Sequence, residues 1–501
     1  GGVINVVKNQ VQTTLPSHLT GTLSINGQTV NSGLSSALNL AFPVRSFAVQ
    51  ADINGRYGLN TETPRGEIGN SYYETTNDAI GVSWIRPWGY AGISTSLYFS
   101  NYGIPPDPNG HPNGVDIELR KYQYDARSEV LLNNDLLKLI EMDISFKDYN
   151  HKEIEGENSE GDPVVGTEFD LLTTNFNLRA KHNKFGFLNS GSFGISGEFE
   201  DYTVDGAGTP PSNNFELGAY IIEETDISEL HLEVGARLDY SHASTNERGL
   251  FYGIGARSGS IDSTIYKNRS FSALSGSISA IYDLGGGFSI GSTILRSFRA
   301  PSLEELYSEG PHLASYSFEI GNPDLDPERA WAKEIFIGFQ SNKINTSAAL
   351  FHNGFDNYLE SSAEFQLTNT IVFDVSASYT IGKQDTTDQN GNNKGTRPLP
   401  QIPPFKAQSS IKYAKDGLEI GTRFKYAARQ DRTGEFENPT DSYFLTDLFA
   451  QYRINGEKLL HTISVNVNNL LNEEYYNHLS RIKDLRPEPG RNFTVLYRIY
   501  F

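Results

Sequence analysis

The sequence of 501 residues contains no cysteine, a single methionine and only three tryptophans. Without cysteine, the chain has no thiol nucleophile, no thiolate zinc site and no disulfide framework. Basic residues are also scarce, because 41 Lys and Arg stand against 61 Asp and Glu and leave a net charge of −20. This balance argues against nucleic acid as the partner, since nucleic-acid binding requires basic patches.

Long apolar runs are missing as well. The mean hydropathy is −0.43, and no uncharged stretch is long enough for a membrane-spanning helix. A membrane β-barrel is not excluded, because its strands alternate apolar and polar residues and therefore average out as polar. The 47 glycines and the 12% aromatic content fit that class.

Motifs of catalysis are lacking too. The sequence has no Gly-x-Ser-x-Gly elbow and no phosphate-cradling loop of the Walker type. No catalytic set of side chains emerges from the pattern. We therefore predict that the protein is not an enzyme and that it has no resident cofactor.

The dominant pattern in the chain is alternation with a period of two. Apolar and polar residues alternate in Val49–Tyr57, Leu232–Tyr240 and Phe493–Phe501. The apolar face meets a second sheet in a soluble sandwich and meets lipid in a membrane barrel, so the pattern alone leaves both open. The runs Glu168–His182 and Ser270–Tyr282 exceed the roughly 5–6 residues usual in soluble sheets, which favours strands that span a bilayer.

The connections between these runs alternate between short and long. Tight links such as Leu284–Gly287 and Tyr413–Gly417 alternate with long polar loops, as in outer-membrane barrels. The predicted fold is all-β, a large antiparallel transmembrane β-barrel of about 22 strands, in the size class of plugged transporters. The long loops are predicted at Tyr102–Gly114, His151–Asp162, Ser241–Lys267, Ser308–Glu328 and Lys383–Arg397.

Several motifs carry a family resemblance over nearly the whole chain. They lie in this order at Arg299–Tyr307, Gly310–Ala314, Glu319–Glu328, Val467–Tyr476 and Pro487–Phe493. Together they resemble the barrel of a TonB-dependent outer-membrane receptor.

A narrower resemblance to the zinc-receptor branch of that family comes from further segments. In that branch the loop after the Gly-Ile-Pro element is usually richer in His and acidic residues, whereas here it has one His, His111. Those further segments are Tyr102–Pro105, Asp116–Arg120, Tyr124–Asp125, Gly310–Ala314, His478–Ser480 and Lys483–Asp484.

The resemblance implies a domain organisation. Residues 1–10 correspond to the end of a plug domain and its link to the barrel, because Gly1–Val7 resembles the last plug strand. Residues 11–501 correspond to the barrel. The rest of the plug is missing from this chain, as is the N-terminal segment that contacts the TonB complex. The family usually has a further hairpin after an element like Phe355–Tyr358, so we expect residues to be missing near 358–365.

Histidines on the long loops are the candidate metal ligands. None of the ten His is spaced to pair with a second His, and the ordinary interpretation of each is a solvated loop or lumen residue. His111 and His312 both lie on predicted extracellular loops. Imidazole and loop carboxylates together suit zinc, so we predict this pair as ligands of a divalent metal.

Two further groups of side chains have a structural and a functional interpretation. An acidic cluster in one predicted loop is either a solvated loop tip or a device that steers a cationic ligand. Aromatic residues near strand ends form interfacial girdles, or a minority of them line a siderophore or sugar pocket. The acidic group is Glu153, Glu155, Glu157, Glu160 and Asp162, and the aromatic group is Tyr72, Tyr73, Trp84, Trp88, Tyr90, Tyr475 and Tyr476.

The resemblance predicts a receptor in the cell outer membrane that takes up a scarce nutrient with energy from TonB. A metal ion or metal complex ranks first as the ligand, either zinc or an iron–siderophore. The implied partners are outer-membrane lipid and lipopolysaccharide, the TonB complex, a small ligand and, as an open case, a lipoprotein. The alternatives are a passive pore and a structural or adhesive barrel within a larger complex. A passive pore would not be expected to carry the last plug strand, so Gly1–Val7 argues against the first alternative. A lipoprotein or other partner bound over the loops would support the second.

Overall fold

The structure is a computed structural model, and it describes most of the chain. The predicted last plug strand at Gly1–Val7 lies outside the described residues. The described residues are 10–107, 111–132, 134–245, 250–252, 263–312, 317–353, 356–366, 370–387, 393–435 and 437–501.

Strands account for nearly all regular structure in the described residues. No helix among them is long and apolar enough to cross a membrane. In chain order the elements are β1 Thr20–Gln28, β2 Gly33–Val44, β3 Phe47–Gly58, β4 Thr61–Thr63, β5 Gly66–Ile68, β6 Tyr73–Arg86, β7 Gly89–Ile104, β8 Val115–Leu131, β9 Leu137–Glu157, β10 Pro163–His182, β11 Ser190–Asp205, β12 Ser212–Ile227, β13 Leu230–Thr245, β14 Leu250–Tyr252, β15 Ser263–Ile265, β16 Arg269–Gly285, β17 Phe288–Arg299, α1 Leu303–Tyr307, β18 Glu309–His312, β19 Ser317–Ile320, β20 Glu328–Gln340, β21 Ile344–Asn353, β22 Asp356–Gln366, β23 Ile371–Thr387, β24 Asn393–Pro398, β25 Lys406–Lys415, β26 Leu418–Ala427, β27 Tyr443–Asn455, β28 Leu460–Asn468 and β29 Asn492–Tyr500.

Twenty-two of these strands form a closed ring of antiparallel neighbours. The ring closes where β1 pairs with β29, from Thr22 opposite Tyr500 to Gln28 opposite Thr494. The strand β24 folds back on β23 as a hairpin. Three small hairpins, β4–β5, β14–β15 and β18–β19, lie within long connections. The prediction of an all-β antiparallel barrel of about 22 strands is therefore confirmed.

The two faces of the barrel wall differ in polarity because side chains alternate across a strand. On β3, Ile53 is 58% exposed on the outer face, whereas Gln50 is buried on the inner face. On β7, Ile93 is 67% exposed and its neighbour Ser94 is buried. An apolar outer band and a polar lumen are the arrangement of a membrane barrel. The low mean hydropathy is the average over the apolar outer face and the polar lumen face.

The two rims of the barrel differ in the length of their connections. At one rim the strands are joined by short links, such as residues 45–46, 87–88 and 416–417. At the opposite rim lie the long connections, which include residues 300–327 and 469–491. This asymmetry matches the sequence prediction and is typical of outer-membrane barrels, whose long loops are extracellular.

The first described residues lie inside the lumen. Val11 is 6% exposed, and Gln12 Nε2 donates a hydrogen bond to Gln50 Oε1 at 2.8 Å. A Cβ atom on Gly81 would lie 1.9 Å from the carbonyl oxygen of Gln10, so the chain passes directly over this glycine. The division of the chain at residue 10 into plug and barrel stays a prediction.

The segment near the suspected missing hairpin is a strand of the ring. Strand β22, Asp356–Gln366, pairs with β21 on one side and with β23 on the other. The prediction that residues are missing near 358–365 stays a prediction, which the coding sequence will test.

Candidate functional site

A short helix begins the longest extracellular loop, residues 300–327. The sequence predicts an all-β fold, but Leu303–Tyr307 forms the helix α1 because its first turn is capped. Ser302 Oγ accepts a hydrogen bond from the Glu305 backbone N–H at 3.2 Å, and Glu305 Oε2 accepts one from the Ser302 N–H at 2.9 Å. This reciprocal pair is a capping box, which satisfies two N–H groups that the helix leaves free.

Apolar contacts hold α1 against the inner wall. Tyr307 Oη donates a hydrogen bond to the Lys267 carbonyl at 2.9 Å, so the polar end of this buried ring is also satisfied. Because helix and wall share one buried cluster, the loop folds into the lumen instead of extending into solvent. The cluster comprises Tyr202, Val204, Ala243, Tyr266, Leu303, Leu306 and Tyr307.

An arginine ties the two ends of this loop together. Arg299 donates two hydrogen bonds to the Glu305 carboxylate, both at 2.8 Å, and one to Glu328 Oε2 at 2.9 Å. The hydrogen bonds from Arg299 hold the pKa of Glu305 below its usual value. A bidentate arginine–carboxylate pair fixes geometry as well as charge.

The returning half of the loop packs closely on α1. Gly321 N–H donates to the Ser308 carbonyl at 2.7 Å, and Asn322 N–H donates to the Glu305 carbonyl at 2.7 Å. A Cβ atom on Gly321 would lie 2.6 Å from the Tyr307 nitrogen, so only glycine fits this approach. The hairpin β18–β19 between these contacts carries His312 and Glu319.

Two histidines and two glutamates meet where this hairpin reaches the wall. His312 Nδ1 lies 2.8 Å from Glu319 Oε1, and His312 Nε2 lies 3.6 Å from Glu153 Oε1. His151 Nε2 lies 3.9 Å from the same Glu153 oxygen. We call His151, Glu153, His312 and Glu319 the His/Glu cluster.

Burial gives the His/Glu cluster its chemical character. Glu153 is fully buried, and His151 Nε2 is buried without a hydrogen bond among the described residues. The Phe169 ring lies between the two imidazoles, with its centroid 5.4 Å from each. A buried carboxylate requires a cationic partner, and imidazole with carboxylate is a ligand set for divalent transition metals. Within the described residues no group of three such side chains is already arranged for metal coordination.

The structure treats the two sequence-predicted metal ligands differently. His312 belongs to the His/Glu cluster. The His111 carbonyl accepts hydrogen bonds from the Asp107 and Gly114 N–H groups at 3.1 and 3.0 Å. No contact joins His111 to His312 in the part of the chain that the structure describes. The pairing of these two histidines as metal ligands stays a prediction.

The roles of His151 and Glu153 do not follow from the sequence prediction. Both lie in the long polar loop predicted at His151–Asp162, but β9 continues as far as Glu157, and Glu153 is buried instead of solvated. Tyr149, His151 and Glu153 lie at alternate positions of β9, so they share one face of that strand, which is the lumen face. Continuing the period of two past Asn150 would have revealed this.

A second polar cluster joins two other extracellular connections, residues 428–442 and 469–491, which we call the C-terminal loop pair. Glu437 Oε1 lies 2.9 Å from Lys483 Nζ and 3.1 Å from His478 Nε2. Lys483 Nζ also donates to the His478 carbonyl at 3.0 Å. All three side chains are less than 10% exposed.

The charges in this cluster shift its proton affinities. Burial, followed by the nearby Lys483 ammonium, lowers the pKa of His478. Burial alone would raise the pKa of Glu437, but hydrogen bonds from Lys483 and from backbone N–H groups lower it overall. At neutral pH the cluster therefore contains a neutral imidazole beside the Glu437 carboxylate.

Comparison with protein families gives one match that covers most of the chain. The model "TonB dependent receptor-like, beta-barrel" matches residues 19–470. The TonB-dependent heme receptor A of Haemophilus influenzae is 27% identical over 169 residues. That match covers 30% of this chain and only 22% of the heme receptor.

Solved structures with the same fold cover nearly the whole chain. The copper transporter OprC superposes with a TM-score of 0.81 at 16% identity, over 97% of this chain and 81% of OprC. The FrpB iron transporter from Neisseria meningitidis superposes with a TM-score of 0.74 at 14% identity, over 99% of this chain and 83% of FrpB. At such low identity these similarities establish the fold alone.

Proposed function

The chain belongs to the TonB-dependent receptor β-barrel family and lies in the outer membrane, and on this premise we propose that it is the barrel of a receptor for TonB-coupled uptake of a scarce metal nutrient. The observation that carries the proposal is the His/Glu cluster, in which Glu153 is buried between two imidazoles at the extracellular end of the lumen. A polar lumen of this size would leak unless it were plugged. Contact with TonB through a preceding N-terminal segment is part of the same proposal.

The cargo that the cluster favours is a divalent transition metal, with zinc as the first candidate. Zinc accepts nitrogen and oxygen ligands together. The imidazole of His312 and the carboxylates of Glu153 and Glu319 supply both kinds. The copper, iron and heme named in the similar proteins support a metal or metal complex as the class of cargo.

Zinc binding to the purified receptor, measured by isothermal titration calorimetry, tests the cargo. We expect His312→Ala and Glu153→Gln each to lower zinc affinity by roughly tenfold or more, because each removes a group of the cluster. His18→Gln is the control, since His18 is exposed near the start of the chain. An equal loss in His111→Ala would support the histidine pair predicted from sequence.

The identity of the cargo and the mode of transport are tested by separate experiments. Unchanged zinc affinity in both His312→Ala and Glu153→Gln would contradict the cation site. The upstream coding sequence tests coupling to TonB independently. Without a plug-like domain there, the barrel would be a passive pore, which was the first alternative.

A further inference from the structure

A separate cavity of about 360 Å³ lies on the inner wall beside the C-terminal loop pair. Its volume is within the range of small-molecule pockets. Strands β23, β25, β26 and β27 form its wall, and the loop 469–491 contributes residues to it. We call it the lysine–tyrosine pocket, and the lining residues that matter for its chemistry are Lys406, Gln408, Lys425, Tyr443, Leu445 and Tyr475.

The pocket has one cation without a partner. Lys425 Nζ lies 2.7 Å from Asp447 Oδ2, so its charge is neutralised. Lys406 is partly buried and forms no ion pair or hydrogen bond within the described parts of the chain. A partly buried ammonium group without a counter-ion attracts an anion more strongly than an exposed one, because the local dielectric is lower.

Two tyrosines give the pocket an aromatic wall and further donors. The ring centroids of Tyr443 and Tyr475 are 4.7 Å apart at an interplanar angle of 48°. Leu445, which is 6% exposed, extends this apolar wall. Neither tyrosine hydroxyl has a hydrogen-bond partner among the residues that the structure describes. Both side chains are only partly buried, so both hydroxyls can reach a ligand in the pocket and hydrogen-bond to it.

We propose that the lysine–tyrosine pocket binds a small aromatic carboxylate, with the carboxylate on Lys406 and the ring against Tyr443 and Tyr475. One unpaired cation matches one carboxylate charge, whereas a phosphate dianion would leave a charge uncompensated. The apolar wall accounts for the ring, since aromatic pairs gain more than their buried area alone provides.

This site is distinct from the His/Glu cluster and goes beyond the proposed uptake of a metal cation. The strands β9 and β10 lie eleven places from β25 and β26 in the ring of 22, so the two sites face each other across the lumen. A small ligand in one site does not reach the other. The pocket therefore recognises an organic anion independently of the metal.

Saturation-transfer NMR on the purified receptor in detergent tests the proposal, with benzoate as the probe. Benzamide, which has the same ring without the charge, measures the contribution of the carboxylate, and inorganic phosphate measures that of the ring. We expect benzoate to bind roughly tenfold more tightly than benzamide, the difference that a charge-assisted hydrogen bond provides. Phosphate should not displace it at equal concentration. These comparisons need only the unmodified receptor.

Variants then locate the site. Lys406→Met should lower the affinity for benzoate by roughly tenfold, so that benzoate no longer binds more tightly than benzamide. Lys406→Arg should retain the tighter binding of benzoate. Tyr475→Leu should lower the affinity for both benzoate and benzamide. Lys415→Met is the matched control, because Lys415 is exposed at the opposite end of the same strand, β25. Benzoate binding that is absent, equalled by benzamide or phosphate, or unchanged in Lys406→Met would overturn the proposal. Zinc binding to the Glu153→Gln variant is a separate measurement, so the two proposals fail independently.

Discussion

Glu153 Oε1 lies 3.6 Å from His312 Nε2, although strand β9 carries the first residue and the folded-in loop 300–327 carries the second. Because His312 belongs to this loop, the contact requires the loop to lie against the wall, where Glu153 is fully buried. The buried cluster shared by α1 and the wall, together with the Arg299 ion pairs, holds the loop in that position. The candidate cation site is therefore a product of loop folding as much as of strand register.

His151 provides the sharpest test of ligand chemistry in the cluster. We expect His151→Phe to lower zinc affinity by roughly tenfold, because phenylalanine keeps the ring against Phe169 but has no nitrogen to bind metal. Isothermal titration calorimetry on the purified receptor measures this. The control is His242→Phe, since His242 hydrogen-bonds to Ser270 outside the cluster. If His151→Phe binds zinc as tightly as the unmodified receptor, His151 only packs against Phe169.

Closure of the loop should depend on Gly321. A Cβ atom there would meet the backbone of Leu306 and Tyr307 at 2.6–2.8 Å, and backbone has no flexible end that can move aside. We expect Gly321→Ala to destabilise the closed loop by about 1–3 kcal/mol, as overpacking does. Limited proteolysis should then cleave residues 300–327 faster, and zinc affinity should fall with it.

Gly27→Ala is the matched control, because a Cβ atom at Gly27 meets nothing within 4 Å. Equal cleavage rates in Gly321→Ala and Gly27→Ala would contradict the role of close packing. Faster cleavage with unchanged zinc affinity would show instead that the loop does not position the cation site.

The fold could be predicted because its signal is local and repeated. Alternation such as that in Val49–Tyr57 fixes which side chains face lipid, and the spacing of turns fixes the number of strands. The barrel architecture follows from these two features. The sequence places the end of β9 too early, because the charged residues after His151 resemble a polar loop, whereas the strand continues as far as Glu157.

The site was harder to predict because its contacts are distant in sequence. Glu153 meets His312 only through packing of α1 on the wall, and no spacing in the chain encodes that meeting. Its position near a strand end groups Tyr475 with the interfacial aromatics, yet it packs against Tyr443 in a lumen pocket. For both sites the sequence supplied suitable residue types, while the partners depended on tertiary structure.

The C-terminal loop pair should loosen in mild acid because of His478. Its pKa is lowered by burial and by Lys483, so the unfolded loop binds the proton more readily. The contribution of His478 to the stability of the C-terminal loop pair should be fully present above the ordinary histidine pKa of about 6.5. It should be lost as the pH drops below that value. Hydrogen exchange of residues 428–442 and 469–491 between pH 7 and pH 5 measures this.

His478→Gln should remove the loosening between pH 7 and pH 5, while His18→Gln should keep it. Glu437 has a lowered pKa, so its contribution is lost only below its ordinary pKa of about 4.5 and falls outside this window. Burial raises the pKa of Glu488, which gives a slope of opposite sign that both variants share. An unchanged pH dependence in His478→Gln would refute this assignment.

The passage of the chain over Gly81 predicts where the first described residues are held. A Cβ atom on Gly81 would lie 1.9 Å from the Gln10 carbonyl oxygen, and one on Gly92 would lie 2.6 Å from Val11 Cγ1. We expect Gly81→Ala to displace this segment at a cost of about 1–3 kcal/mol. Because the chain has no cysteine, Val11→Cys introduces a single thiol whose maleimide labelling reports the displacement.

In Val11→Cys alone the thiol should react slowly, because Val11 is 6% exposed. Adding Gly81→Ala should raise the rate by roughly tenfold, the factor that about 1.4 kcal/mol represents. Adding Gly55→Ala should leave the rate unchanged, since a Cβ atom at Gly55 meets nothing within 4 Å. If Gly81→Ala and Gly55→Ala give the same rate, the segment is not held against the wall at Gly81, and its path through the lumen must be different.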